Sequence, residues 1–267
     1  MPSRSFPNGF IVAIATTLAV SMANVAVAET LGAKMKIYFK GIPVGKLYSS
    51  IVIGNGQYSI KGSGRTNAVI SIITKTKGTF RSSGRLAGRK VVPNVHASDF
   101  KRGRKKSNSS LKFKDANVVS VSATPPIKYK PGSVPVTPDH FQNVIDPVSS
   151  LLFPLGKGET ASGGTVCNRT VPVFSGKTRM NLVFKFKTSG KVKTDGFNGT
   201  VYTCGVRYKP VSGHRPASKS TKFLVGRSDI EVSMAEIGTS GVFAMFGFSL
   251  PIRQGVISGK TQTFAVQ

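Results

Sequence analysis

Tryptophan is absent from this 267-residue chain, and acids are scarce: 10 Asp and Glu stand against 38 Lys and Arg, a formal charge of +28. So few carboxylates leave little material for the paired acids of general acid–base chemistry, and no pairing is marked by spacing. Histidine occurs three times, as His96, His140 and His214, on separate segments with no His-x-His or His-Glu-x-x-His pattern, so neither a metal nor a cofactor is expected. No Gly-x-Ser-x-Gly elbow is present, and no P-loop lysine pattern follows Gly62-Ser63-Gly64 or Gly163-Gly164, which read as turns. These absences argue against an enzyme. Beyond residue 28 no segment approaches eighteen uninterrupted apolar residues, so no helical membrane span is expected in the processed protein.

What is present begins at the N-terminus. Arg4 is the one charge before Glu29, and an apolar run from Phe10 ends in Ala26-Val27-Ala28. A positive start, an apolar middle and a small-x-small exit form a secretory signal peptide, residues 1–28, cut between Ala28 and Glu29. An uncleaved anchor is the alternative, weakened by Thr16, Thr17, Ser21 and Asn24 within the run. The general secretory route fits best, because Arg4-Ser5 is no twin arginine and no cysteine lies near the cut for a lipid anchor. In an oxidising compartment such as the periplasm, Cys167 and Cys204 are expected to form one disulfide; a metal site or a redox pair are the competing readings. Closing a loop of that length contributes about 4 kcal/mol on the chain-entropy account. Removing Arg4 with the leader lowers the formal charge by one, to +27. That charge must attract polyanions in a salt-dependent way. Outside the inner membrane the partner is an anionic envelope component (lipopolysaccharide, phospholipid or cell-wall polymer) and no nucleic acid is expected.

The remainder, 29–267, reads as a single mainly β domain. Short Val-, Ile-, Thr-, Phe- and Tyr-rich runs alternate with Gly, Ser, Asn and Pro. Strands are expected over 34–39, 47–53, 57–61, 69–74, 79–86, 90–99, 111–114 and 118–123. A second set is expected over 165–174, 179–187, 200–209, 219–225, 230–234, 243–251 and 256–265. Gly41–Gly45 reads as a turn, and Gly54-Asn55-Gly56 as a hairpin. The densest basic run, Lys101, Arg102, Arg104, Lys105 and Lys106, falls between two strands and reads as a solvated hairpin tip, a polyanion-binding candidate or simply a solubilising loop. Five prolines between 125 and 138 make an extended connector. Asp146-Pro147 then opens the one short helix, with Val148, Leu151 and Leu152 on one face, placed to plug an end of a barrel or curled sheet.

The order of several segments resembles a family of periplasmic proteins from alphaproteobacteria, a domain of unknown function numbered 3108. These segments are Gly41–Gly45, Thr124-Pro125-Pro126, Val134-Pro135-Val136, Asp146-Pro147, Cys167, Pro172–Arg179, Cys204–Pro210 and Gly213-His214-Arg215. The resemblance implies one long antiparallel sheet curled into a spiral or open barrel, joined by one disulfide, and a role in envelope integrity or lipid interaction without a settled activity. After Phe174 the family pattern has Asp-Gly-Arg where this chain has Ser175-Gly176-Lys177, so no acidic role transfers there. The leading expectation is a non-enzymatic envelope protein acting through a basic surface. The alternative is a carrier of a lipid or other apolar ligand in the lumen of the curled sheet, lined by strands such as 243–248. N-terminal sequencing of the exported protein should read Glu-Thr-Leu from Glu29; an intact chain beginning at Met1 would remove the basis of the compartment argument.

Overall fold

The computed structural model describes Met1 and residues 28–67 and 75–267. The expected strand 69–74 and nearly all of the leader therefore lie outside the described residues. The first seven strands form a meander: β1 (Glu29–Phe39), β2 (Ile42–Gly54), β3 (Gln57–Thr66), β4 (Thr76–Ala87), β5 (Lys90–Arg102), β6 (Lys105–Lys114) and β7 (Asn117–Thr124). Tight turns join most of them. Asn55 and Gly56 both take positive φ, 52° and 68°, the geometry that matches a two-residue turn to the twist of its strands. Lys40-Gly41 does the same work between β1 and β2, so the turn sits one step earlier than expected and Ile42–Gly45 are already strand.

The connector after β7 passes through a 3₁₀ turn (Pro138–Phe141), a second 3₁₀ turn (Ser149–Leu151), β8 (Leu152–Pro154) and helix α1 (Gly163–Cys167). The second half then follows: β9 (Arg169–Phe174), β10 (Arg179–Thr194), β11 (Phe197–Ser212), helix α2 (Lys219–Val225), β12 (Ile230–Glu236), β13 (Val242–Ile252) and β14 (Gly255–Val266). All fourteen strands belong to one antiparallel sheet, in the order β7-β6-β5-β4-β3-β2-β1-β14-β13-β12-β11-β10-β9, with β8 added on β13. The first and last strands of the chain are thus neighbours at its middle, and its two ends, β7 and β9, are not paired with each other.

The sheet curls back on itself. One apolar cluster joins Leu31, Ile51, Ile60 and Val91 of the first half to Val201, Ala244, Phe246 and Phe264 of the second, with Leu152 between them. The tip of the β10–β11 hairpin reaches β14, where Phe264 N–H donates to the Asp195 carbonyl at 2.8 Å. That approach requires glycine at 196: a Cβ there would lie 2.5 Å from the Ala265 Cβ. The connector spans the open seam. Val144 N–H donates to Ala116 O, and Ile145 bridges Pro172 and Phe174 on β9.

Several sequence expectations need correction. Residues 219–225 are helical, because Ser218 caps Thr221 N–H and the alternation of lysine with apolar residues in Lys219–Val225 follows the helix as well as it would a strand. Residues 163–167 are also helical, with Ser162 and Thr165 capping each other reciprocally. Glycine at 163 fits the Phe186 ring, which a Cβ would approach to 2.4 Å. Gly62-Ser63-Gly64 lies within β3. Asp146 does cap, but the segment makes only one 3₁₀ turn before Leu152 enters a strand.

Cys167, at the end of α1, is bonded to Cys204 on β11, with Cα atoms 5.4 Å apart. Both are fully buried beside Phe153 and Phe184, whose rings meet edge-to-face at 4.9 Å. The bridge fastens the connector to the second half. Cys167→Ser with Cys204→Ser should lower unfolding free energy by about 2–5 kcal/mol. Urea titration against the oxidised protein measures this, and equal midpoints would show the bridge to be energetically idle.

Candidate functional site

In an antiparallel ladder, directly opposed residues lie on the same face. Following one such line across the sheet gives Lys260 on β14, Lys36 on β1, Lys46 on β2, Arg65 on β3, Lys77 on β4, Lys101 on β5 and Lys106 on β6, each opposed to the next. Seven adjacent strands therefore present seven cations in one unbroken transverse row. Six interstrand steps make it about 29 Å long, at about 4.8 Å per step. Lys36 and Lys46 are half-buried and the other five are exposed. Among the described residues no ion pair includes any of the seven. Like charges directly opposed are unfavourable in a sheet, so nothing in the fold itself rewards this alignment.

The next line on the same face is polar and small: Tyr48, Ser63, Thr79, Asp99, Asn108 and Thr124, again opposed one to the next from β2 to β7. Between the two lines lies an open trough of about 1040 Å³, bordered by Arg65, Lys77, Lys101 and Lys106. Tyr48, 40% exposed, offers an aromatic surface at one end. One carboxylate, Asp99, faces four cations there.

The basic run identified in the sequence is thus divided by the pleat. Lys101 and Lys106 join the row, whereas Arg102 and Lys105 oppose each other on the other face and Arg104 sits in the turn. Lys36, Lys46, Arg65, Lys77 and Lys260 were missed by sequence reasoning, since they are isolated cations brought together by register. One signal was available: the Asn55-Gly56 turn fixes the β2–β3 pairing and with it Lys46 opposite Arg65. Other cations have a different explanation. Lys191 and Lys193 lie on β10 beyond the reach of both β9 and α1, and Lys185 lies just before the point where Asn168 accepts from Phe186 N–H. Lysines on a bare strand edge deter the addition of foreign strands.

A second polar cluster lies inside the curl. Asp146, with no exposure, accepts hydrogen bonds at Oδ1 from Ser82 Oγ at 2.7 Å, Val148 N–H at 2.9 Å and Ser149 N–H at 3.0 Å. His96 Nδ1 is 3.2 Å from the same oxygen and 2.9 Å from Ser82 Oγ. Because the Ser82 hydroxyl donates its hydrogen bond to the carboxylate, Nδ1 is satisfied between these two oxygens only as a donor. Tyr58 OH meets Ser149 Oγ at 2.7 Å. Serine, histidine and aspartate are in contact here, yet not as a nucleophile relay. Serine and carboxylate share one histidine nitrogen instead of flanking the ring, and Ser82 is 1% exposed. The cluster ties β3, β4 and β5 to the connector.

Burial pushes the Asp146 carboxyl upward, but the hydrogen bond and charge of His96, with the bonds from Ser149, outweigh it and hold the group below its ordinary value. Burial and then the Asp146 charge raise the Tyr58 hydroxyl. His140 is occupied in a local cap, its Nδ1 accepting from Thr137 N–H. His214 lies in a half-buried bend rather than an exposed one, its carbonyl accepting from Val134 N–H. No group of three His, Cys, Asp or Glu among the described residues is placed to hold a metal. Ala28 is exposed and Glu29 begins β1, with Oε1 accepting from Thr239 N–H. Phe243 and Phe246, expected to line a lumen, are packed into the two large cores.

Residues 34–237 match the model of a family described as a protein of unknown function, DUF3108, and the chain belongs to that family. Among solved structures it is similar to a β-barrel-like protein of the domain of unknown function DUF1849 from Brucella abortus, at 8% identity. That alignment covers 92% of this chain and 99% of the other, with a TM-score of 0.47. No curated protein matches.

Asp146→Ala should cost about 3–5 kcal/mol, because it leaves His96 and Ser82 buried without their acceptor. The Asp146 contribution is fully present above the unfolded carboxyl value near pH 4 and is lost as pH falls through the lower folded value. Denaturation midpoints of wild type and variant should therefore stay apart above about pH 5 and converge in acid. Parallel curves down to pH 2 would show that the carboxylate is not the tie.

Proposed function

We propose that this protein is a non-enzymatic, periplasmic, envelope-associated protein that holds an anionic envelope component against its cationic row and so contributes to envelope integrity. The single observation that carries the reading is the in-register line from Lys260 to Lys106. A charge of +28 scattered at random would need no binding partner, but seven opposed cations with no ion pair among the described residues gain most when phosphates or carboxylates lie across them. An extended polyanion or a lipid headgroup array suits a row of this length better than one small anion. Export is supported by the leader pattern and by the start of β1 at Glu29, directly after the expected cut.

The test is flotation with phosphatidylglycerol vesicles and pull-down on purified lipopolysaccharide and cell-wall polymer, across a salt series. Lys77→Gln with Lys101→Gln and Lys106→Gln should weaken binding at least tenfold at about 0.1 M salt and flatten its salt dependence. Lys185→Gln with Lys191→Gln and Lys193→Gln, which removes the same charge from the β10 edge, should change it less than twofold. Equal losses in the two triple variants, or binding indifferent to salt, would defeat the proposal. Whichever of the three materials binds identifies the component.

A further inference from the structure

A second recess lies far from the row, on the open seam of the curled sheet. It is bounded by the β4–β5 turn, the connector and β9, and has a volume of about 410 Å³, at the small end of the range for small-molecule sites. Its two sides differ in chemistry. The inner wall is apolar: Val91 and Val92 of β5, Ile145 and Leu152 of the connector, and Val171 of β9 all line it. The rim carries Arg89, Lys90 and Arg169.

Against these three rim cations stands one acid, Glu159, beside Arg89 and Arg169. Glu159 is held in a two-pronged pair by Arg89, whose other nitrogen donates to the Thr165 carbonyl. Arg169 stacks over the Phe153 ring at 4.5 Å and donates from its terminal nitrogens to Thr165 O and Pro154 O. Its Nε is screened from solvent and has no hydrogen-bond partner among the described residues. Lys90 is exposed and makes no ion pair among the described residues. The rim therefore keeps a surplus of positive charge beside an apolar wall. Burial and then the nearby Arg89 charge press the Arg169 guanidinium down to about 10, so an added anion would relieve it.

We propose that this seam recess binds a single-chain anionic amphiphile, its carboxylate at Lys90 and Arg169 and its alkyl chain against Val91, Val92, Leu152 and Val171. A free inorganic anion would leave the apolar wall unused, and a neutral alkyl chain would leave the rim charge uncompensated. The inference is independent of the cationic row, and it places the ligand at the seam rather than in the packed interior of the curl.

The test is calorimetric titration of the full exported protein with decanoate below its micellar concentration, beside 1-decanol and acetate. Decanoate should bind saturably at one site, at least tenfold more tightly than decanol, and acetate should show no saturation. Thr170→Trp, an exposed recess position on β9, should block the site, and Lys90→Glu should weaken decanoate at least tenfold. Circular dichroism of each variant establishes that it is folded. The Lys77, Lys101 and Lys106 triple variant should bind decanoate like wild type, which separates this site from vesicle binding. The idea fails if decanoate does not saturate, if decanol binds equally, if folded Thr170→Trp binds undiminished, or if the triple variant loses the site.

Discussion

A sheet whose two end strands do not pair must be held curled by something other than its own ladder. Here much of that task falls on one buried carboxylate. Asp146 gathers Ser82, His96 and the backbone amides of Val148 and Ser149 in the middle of the connector, and the Ser149 side chain reaches Tyr58. Three strands of the first half are thereby fixed to a segment that also bridges β9. Burying an ion is expensive, and here Oδ1 gathers all the bonds while Oδ2 is buried without a hydrogen-bond partner among the described residues, so the charge depends on each of those few contacts. The apolar core then packs between halves whose relative position is already set. The disulfide adds a covalent tie on the other side, joining the connector to β11.

This division of labour leaves the outer face of the first half free of structural duties. Strands β2 to β6 carry most of their apolar residues inward, and their outward positions are mostly Ser, Thr, Lys and Arg. Cations could accumulate there without disturbing the core. Register then does what composition cannot, converting charges dispersed along more than two hundred residues into one line. The pleat also decides which members of a basic run take part: Lys101 and Lys106 do, while Arg102 and Lys105 point away.

Much of the fold could be read from the residues. Alternating β-branched runs marked most strands, Asn55-Gly56 marked its hairpin, and the pairing of Cys167 with Cys204 followed from there being two cysteines. Helix α2 was misread because Lys219–Val225 is too short for its period to be decided, and the Ser218 cap settles it locally. The site was legible only in part. The pairing of Arg65 with Lys77 depends on where β4 starts, and no turn signal between β3 and β4 fixes that, while Lys77 reaches Lys101 only through a bulge at Ser83–Gly84. Asp146 was visible as a cap but not as the partner of His96, fifty residues earlier, because nothing local joins them.

Strands β1 and β14 lie side by side at the centre of the sheet although they are far apart in sequence. Leu31 pairs with Val266, so the central seam of the sheet joins the first strand to the last. Those hydrogen bonds cannot form until β14, more than two hundred residues after β1, is available, and closing so long a loop is slow. Until then β1 shows one bare edge and the seven-strand meander lacks the half that covers its apolar side. A chain emerging in pieces would dwell in that state, exposed to wrong pairings. Its folding should therefore depend on chaperones that hold the early meander open, and a truncation lacking β14 should aggregate rather than form half of the structure.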